Sequence, residues 1–192
     1  MTNDQIIDTA HRGVFRTPAP QSALVGFGVM LSNGYITQEG LIANFISNTD
    51  NVNWVRPVIR LYQAIFNRKP DSGGLDYWVS QYRAYGTPSQ ANLQAMASSW
   101  FGTQEYTSAY PASMSNREFV EKVYLNVFGR ASDAGGAAYW AQQLDTGAYS
   151  RQGLIVYFSE SAENLQRTDA AVTAFQRLCG YGDANAYNGP LL

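Results

Sequence analysis

The stretch Tyr62-Gln-Ala-Ile-Phe66-Asn-Arg68-Lys-Pro70-Asp71-Ser-Gly-Gly74-Leu-Asp-Tyr77-Trp78 decides the fold, because the chain carries it twice. The second copy reads Tyr124-Leu-Asn-Val-Phe128-Gly-Arg130-Ala-Ser132-Asp133-Ala-Gly-Gly136-Ala-Ala-Tyr139-Trp140, offset by 62 residues. Tyr, Phe, Arg, Asp, Gly-Gly and Tyr-Trp fall in step without a gap. So many infrequent residues in register mark a tandem repeat. Repeats stack supersecondary units and build surfaces, which disfavours most enzyme readings.

A degenerate third copy opens the chain. Moving back 51 residues sets Phe15 under Phe66 and Phe27 under Trp78. The sets Ile7/Ala10/His11/Val14/Phe15, Val58/Leu61/Tyr62/Ile65/Phe66 and Val120/Val123/Tyr124/Val127/Phe128 then coincide. Each is spaced i, i+3, i+4, i+7, i+8, one buried face of an α-helix. This first copy lacks the Arg, Asp and Gly-Gly.

A second helix follows in each copy, with stripes Leu24/Phe27/Gly28/Leu31, Leu75/Trp78/Val79/Tyr82 and Ala137/Trp140/Ala141/Leu144. The third helices carry Leu41/Phe45, Ala97/Phe101 and Leu154/Phe158. Thr37 and Ser150 read as N-caps, and Thr87-Pro88 as cap plus first helical residue in the middle copy. A final helix is expected from roughly Thr168 to Cys179, capped by Thr168 or Asp169 and stopped by Gly180. No strand alternation competes. The sequence predicts an all-α protein of about ten helices: three related three-helix repeats, the first degenerate, plus a C-terminal helix. The units are residues 1-52, 53-110, 111-166, and a C-terminal helix with irregular tail at 167-192, packed as one compact body.

Hydrophobic residues make up 45% of the 192, enough to bury a real core. Net charge is −2 with only 15% charged residues, which argues against a nucleic-acid footprint of clustered Lys and Arg. Thirteen Tyr and four Trp on a nearly neutral chain suit sugars or protein partners. The single Cys179 permits no internal disulfide. No stretch approaches the ~20 apolar residues of a membrane helix, and the polar first residues do not form a signal peptide. A soluble chain is expected, exported, if at all, by a route without an N-terminal signal.

One His and one Cys leave no zinc site and no Ser–His or Cys–His pair to build. Two carboxylates would suffice for a glycosidase, but Glu39, Glu105, Glu118, Glu121, Glu160 and Glu163 all fall at solvated positions. Asp71 and Asp133 read foremost as N-caps of the second helices, with Arg68 and Arg130 paired to them or to the preceding helix end. His11 replaces the Tyr of the other copies on a buried face, and a packed, hydrogen-bonded role is expected. Tyr77 and Tyr139 lie off the buried stripe. They either pack between repeats or stand exposed as stacking platforms for a sugar ring.

The pattern Tyr-x3-Phe-x-Arg-x2-Asp-x2-Gly-x2-Tyr-Trp, with Gly-x-x-Ser and Phe158-Ser-Glu-Ser161 after it, resembles a bacterial repeat domain of unassigned function. That domain recurs in large secreted and surface proteins, often beside calcium-binding nonapeptide repeats. The match covers residues 58–106 and 119–164 well and 6–50 weakly. The layout also resembles the N-terminal region of Caulobacter-type S-layer proteins, through Leu61-Tyr62-Gln63 and Gly74-Leu75-Asp76. That resemblance implies anchoring to the O-antigen of surface lipopolysaccharide and signal-less type I export to the cell surface. Phycobilisome linkers share the three-helix cadence but are basic, and this chain is not. The residues call for no cofactor, and calcium enters only through the company the resembled domain keeps.

The leading expectation is a non-catalytic anchoring or adhesion domain, secreted to the bacterial surface, that binds surface polysaccharide. The rival is a protein-interaction or assembly module, pairing with itself or with a larger surface-layer protein. A glycan-processing enzyme ranks third. A bound saccharide is expected in a groove where two repeats meet, against Tyr77, Tyr82, Tyr85, Trp100, Tyr106, Tyr139 and Tyr149. Arg68, Arg130, Asp71 and Asp133 would be its hydrogen-bonding neighbours. Tyr77 and Tyr139 are the sharpest of these, being equivalent by register.

Overall fold

The computed structural model describes residues 1–192 and contains helices and loops without a strand. The helices are α1 (Asn3–Phe15), α2 (Gln21–Ser32), α3 (Gln38–Ser47), α4 (Arg56–Phe66), α5 (Ser72–Arg83) and α6 (Gln90–Ser98). They continue as α7 (Gln104–Ala109), α8 (Asn116–Phe128), α9 (Ala134–Asp145), α10 (Arg151–Ser159) and α11 (Ala162–Gly180). A π-helical turn, Asn51–Val55, runs straight into α4, and a 3-10 turn, Ala184–Tyr187, lies in the tail. No helix is long and apolar enough to cross a membrane.

The three copies share their local devices. The first helices α1, α4 and α8 end on left-handed caps at Arg16 (φ 64°), Asn67 (φ 53°) and Gly129 (φ 66°), which are equivalent positions. Only the last copy uses the glycine that this conformation favours. Each copy then closes an aromatic box: His11/Phe15/Phe27/Phe45, Tyr62/Phe66/Trp78/Trp100 and Tyr124/Phe128/Trp140/Phe158. His11 is packed against Phe15 and Phe45, and its Nδ1 meets the Thr17 carbonyl at 2.8 Å, but it is half-buried rather than a full core residue.

Four expectations need correction. The box residue of the middle copy is Trp100, not Phe101: α6 stops at Ser98, and the tighter turn that follows rotates Trp100 inward. Helix α6 is capped by Ser89, whose Oγ accepts from the Asn92 N–H at 3.1 Å, and not by Thr87. Helix α11 begins at Ala162 under a Ser161 cap. Thr168 sits inside it, its hydroxyl donating to the Asn164 carbonyl. The short helix α7 was not foreseen.

Packing is not that of three equal beads. Repeats two and three share with α11 and the tail one core of 31 buried residues, whereas the first copy keeps a separate core of eight around Ile7, Val14, Leu41 and Phe45. Helix α4 lies at the centre against α8, α10 and α11. The α4–α8 seam is stitched by Gln63, which donates to the Asn126 carbonyl, and by Asn126, which donates to the Ala64 and Ile65 carbonyls. Helix α11 returns along α1, where Gly13 faces the Cys179–Gly180 backbone so closely that no side chain fits. Arg16 adds a second tie from copy one, reaching Asp76, the Ser72 hydroxyl and the Tyr187 hydroxyl.

Candidate functional site

The repeated motif builds the interior of each unit. Asp71 and Asp133 cap α5 and α9, each carboxylate accepting from the Gly74 or Gly136 N–H at 2.7 Å. Those glycines leave room for the Tyr62 and Tyr124 hydroxyls, which a Cβ would approach to 2.4 and 3.0 Å. Arg68 lies over the Tyr62 and Phe66 rings and forms a two-pronged pair with Glu105 at 2.7 and 2.9 Å. Arg130 repeats this over Tyr124 and Phe128 with Glu163. These four charged residues are engaged in capping and pairing within their own repeats, and none of them lines either groove described below.

The aromatic candidates divide. Tyr82, Trp100 and Tyr106 are only 2%, 1% and 5% exposed, so they belong to the core; Tyr82 alone of the three also borders a groove, the larger one described below. Tyr82 lies on the buried stripe of α5 and packs on Trp54, whereas Trp100 and Tyr106, off the stripes, are covered by Tyr62, Phe66 and Trp78 and by Phe101 and Tyr110. Burial drives the Tyr106 phenol pKa upward. Tyr77 and Tyr139 stand 54% and 53% exposed, each edge-on to its neighbouring Trp at 4.8 and 5.0 Å. Tyr85 and Tyr149 are exposed as well.

The structure brings some of these together and leaves others apart. An open groove of about 390 Å³ runs between α6 and the start of α10, where repeats two and three meet. Tyr149 and Tyr157 flank it, with Gln90, Gln94 and Ser150 supplying amide and hydroxyl groups. Both tyrosine rings lie 5.4 Å from half-buried Trp140, which also touches Tyr139. Tyr139, Trp140, Tyr149 and Tyr157 thus form one aromatic surface running into the groove. Tyr77 and Tyr85 line neither this groove nor the larger one described below. Register-equivalent Tyr77 and Tyr139 have unequal surroundings.

Tyr157, Gln90 and Gln94 were missed in the sequence. Tyr157 had a signal: in α10 it lies between buried Val156 and Phe158, off the Leu154/Phe158 stripe, as Tyr139 is off its own. Gln90 and Gln94 had none, since polar residues on an exposed helical face are the ordinary case.

A second groove, about 530 Å³, lies on the other side of the α6 N-terminus, bounded by the π-turn, α4 and α11. Its floor is charged but balanced. Arg60 pairs two-pronged with Glu160, and Arg56 pairs with Asp169 at 2.6 Å. Exposed Val52, Pro88 and Leu165 form its rim. No cluster of acidic, His or Cys side chains with metal-ligand character occurs.

No curated protein and no solved structure matches the chain. The family model described as "Domain of unknown function (DUF4214)" matches twice in tandem, over residues 47–100 and 97–168, meeting at the end of α6. The two matches together take in more than half of the chain, and it belongs to that family of helical repeat domains.

Proposed function

We propose that the chain is a non-catalytic anchoring or adhesion domain that binds bacterial surface polysaccharide, in the manner of an S-layer anchor held by lipopolysaccharide O-antigen. The observation that carries this reading is the aromatic surface of Tyr139, Trp140, Tyr149 and Tyr157 opening into an amide-lined groove at the repeat junction. Sugar rings offer C–H faces that pack on aromatic rings, and hydroxyls that match side-chain amides. The tyrosine groove holds no carboxylate, and Glu160 and Asp169 of the neighbouring groove are ion-paired to Arg60 and Arg56, which favours binding over glycoside cleavage. Export to the cell surface belongs to the same proposal.

The test uses the whole chain with cells that carry O-antigen and with isogenic cells that lack it. Retention on the first and not the second supports the reading; equal retention on both overturns it.

A second reading, self-assembly, is favoured by α2. This helix carries no charged residue and buries none of its own, leaving Val25 58% and Val29 55% exposed. An isologous contact sets like against like, so an uncharged face avoids the repulsion that charged helices would meet. A concentration-dependent rise in mass by sedimentation, abolished in Val25→Lys, supports a second copy as occupant. A strict monomer at all concentrations excludes it.

A further inference from the structure

The two grooves are neighbours. Gln90, the first residue of α6, lines both, with Pro88 and Ser89 before it on the larger groove and Ala91 and Gln94 after it on the tyrosine groove. Each is of the size that holds a small ligand, within the ~300–1,000 Å³ range of ordinary pockets. Their chemistries differ. The tyrosine groove is uncharged and offers ring faces with the Gln90, Gln94 and Ser150 polar groups. The larger groove has no exposed aromatic ring and instead presents fixed hydrogen-bond acceptors.

Those acceptors are held in place in advance. Arg60 is 6% exposed and grips Glu160, which also receives the Ser159 hydroxyl at 3.4 Å. Arg56 is 8% exposed and grips Asp169, whose side chain stays 71% exposed on the groove wall. An immobilised carboxylate loses little freedom on accepting from a ligand hydroxyl, so less of the interaction is spent on ordering. Two Arg and two acidic residues leave the groove with no net charge. That balance suits a neutral, hydroxyl-rich ligand and not a polyanion.

We infer that the two grooves form one continuous track, so that the ligand is an internal run of a neutral polysaccharide several sugars long and not a single terminal sugar. This inference rests on the reading of the preceding subsection. In the track, Tyr149 and Tyr157 stack one part of the polymer, Gln90 bridges the crossing, and Asp169, Glu160 and Asn53 take hydroxyls from the next part.

The test measures binding of O-polysaccharide fragments, released from lipopolysaccharide by mild acid and fractionated by length, to the full chain and to an Asn53→Ala, Asp169→Asn variant. The amide that replaces the Asp169 carboxylate can still accept from Arg56, which also keeps the backbone carbonyl of that residue and the Thr173 hydroxyl as partners, so the variant is expected to keep its helical spectrum. Wild type is expected to bind long fragments at least about tenfold tighter than the shortest, since occupying a second subsite multiplies affinity. The variant is expected to lose that gain while binding the shortest fragment as wild type does. Equal affinity for short and long fragments, or a variant unchanged on long ones, overturns the continuous track and leaves the tyrosine groove standing. Failure of every fragment to bind overturns the polysaccharide reading itself, and the track with it.

Discussion

Tyr62 and Gly74 show what a repeat motif is for at the level of single atoms. The Tyr hydroxyl occupies the space of the missing Cβ, at 2.4 Å in the second repeat and 3.0 Å in the third. Tyr62 is buried between Phe66 and Trp100 and has no room to retreat, whereas the third-repeat contact needs a smaller shift. Gly74→Ala is therefore expected to destabilise by ~1–3 kcal/mol, in the range for overpacking. Gly136→Ala should cost less, because the ~1 kcal/mol helix-propensity gain of Ala offsets a milder clash. Equal unfolding midpoints in urea for the two variants would contradict this ranking. Buried phenols set a pH limit. Desolvation raises the Tyr62, Tyr106 and Tyr110 pKa values above the ordinary ~10, while the unfolded chain titrates near it. Their contribution is complete below pH ~10 and falls as pH rises past it, since the unfolded state then loses protons first. Urea midpoints measured from pH 8 to 11.5 should drop at the alkaline end. Tyr110→Phe should drop less steeply, at the cost of the bond from its hydroxyl to the Ile65 carbonyl.

Helices of this chain were legible where a stripe and a cap agreed. The stripes of α1, α4 and α8, the Asp71 and Asp133 caps and the Thr37 and Ser150 caps are as the sequence predicts. Legibility failed where one turn differed between copies. A 3.6-residue period cannot distinguish Trp100 from Phe101 when the helix ends two residues earlier, and α7 is too short to show a period at all. Thr168 resembles a cap because threonine favours caps; its hydroxyl bonds backward to Asn164 inside a longer helix instead. The candidate site was half legible for a related reason. Periodicity says which residues leave their own helix's stripe, and it places Tyr77 and Tyr139 outside, where both are exposed. It does not say what will cover a residue that lies off every stripe, and so it misplaces Trp100 and Tyr106; Tyr82 lies on the α5 stripe, and its burial agrees with that stripe and not with a ligand role. Two measurements bear on the elements. Trp100→Ala should cost ~3–5 kcal/mol, the range for a fully buried aromatic, and should leave Phe101→Ala clearly milder. Gly13→Ala places a Cβ 2.1 Å from the Cys179 carbonyl oxygen, backbone that cannot yield unless α1 and α11 part. Its cost is expected at the upper end of overpacking, about 3 kcal/mol, read from thermal unfolding.

Over the whole molecule the repeats are unequal partners. The shared core of repeats two and three is about four times larger than that of copy one, which is joined through the α1–α11 crossing and Arg16. Amides of α1 to α3 should exchange with solvent earlier than those of α4 and α8, because small cores open at lower free energy. Uniform protection across all three units would contradict a two-core molecule. Trp140 packs against the larger core, so the proposed site sits on the repeats that share it. The most direct measurement is titration of smooth lipopolysaccharide into wild type and into a Tyr149→Ala, Tyr157→Ala variant, read by tryptophan fluorescence and by sedimentation with the polymer. Both tyrosines are partly exposed, so the variant is expected to keep its helical spectrum and to lose most binding, while wild type binds and its emission, through Trp140, shifts. A folded variant that binds as wild type does would contradict the account.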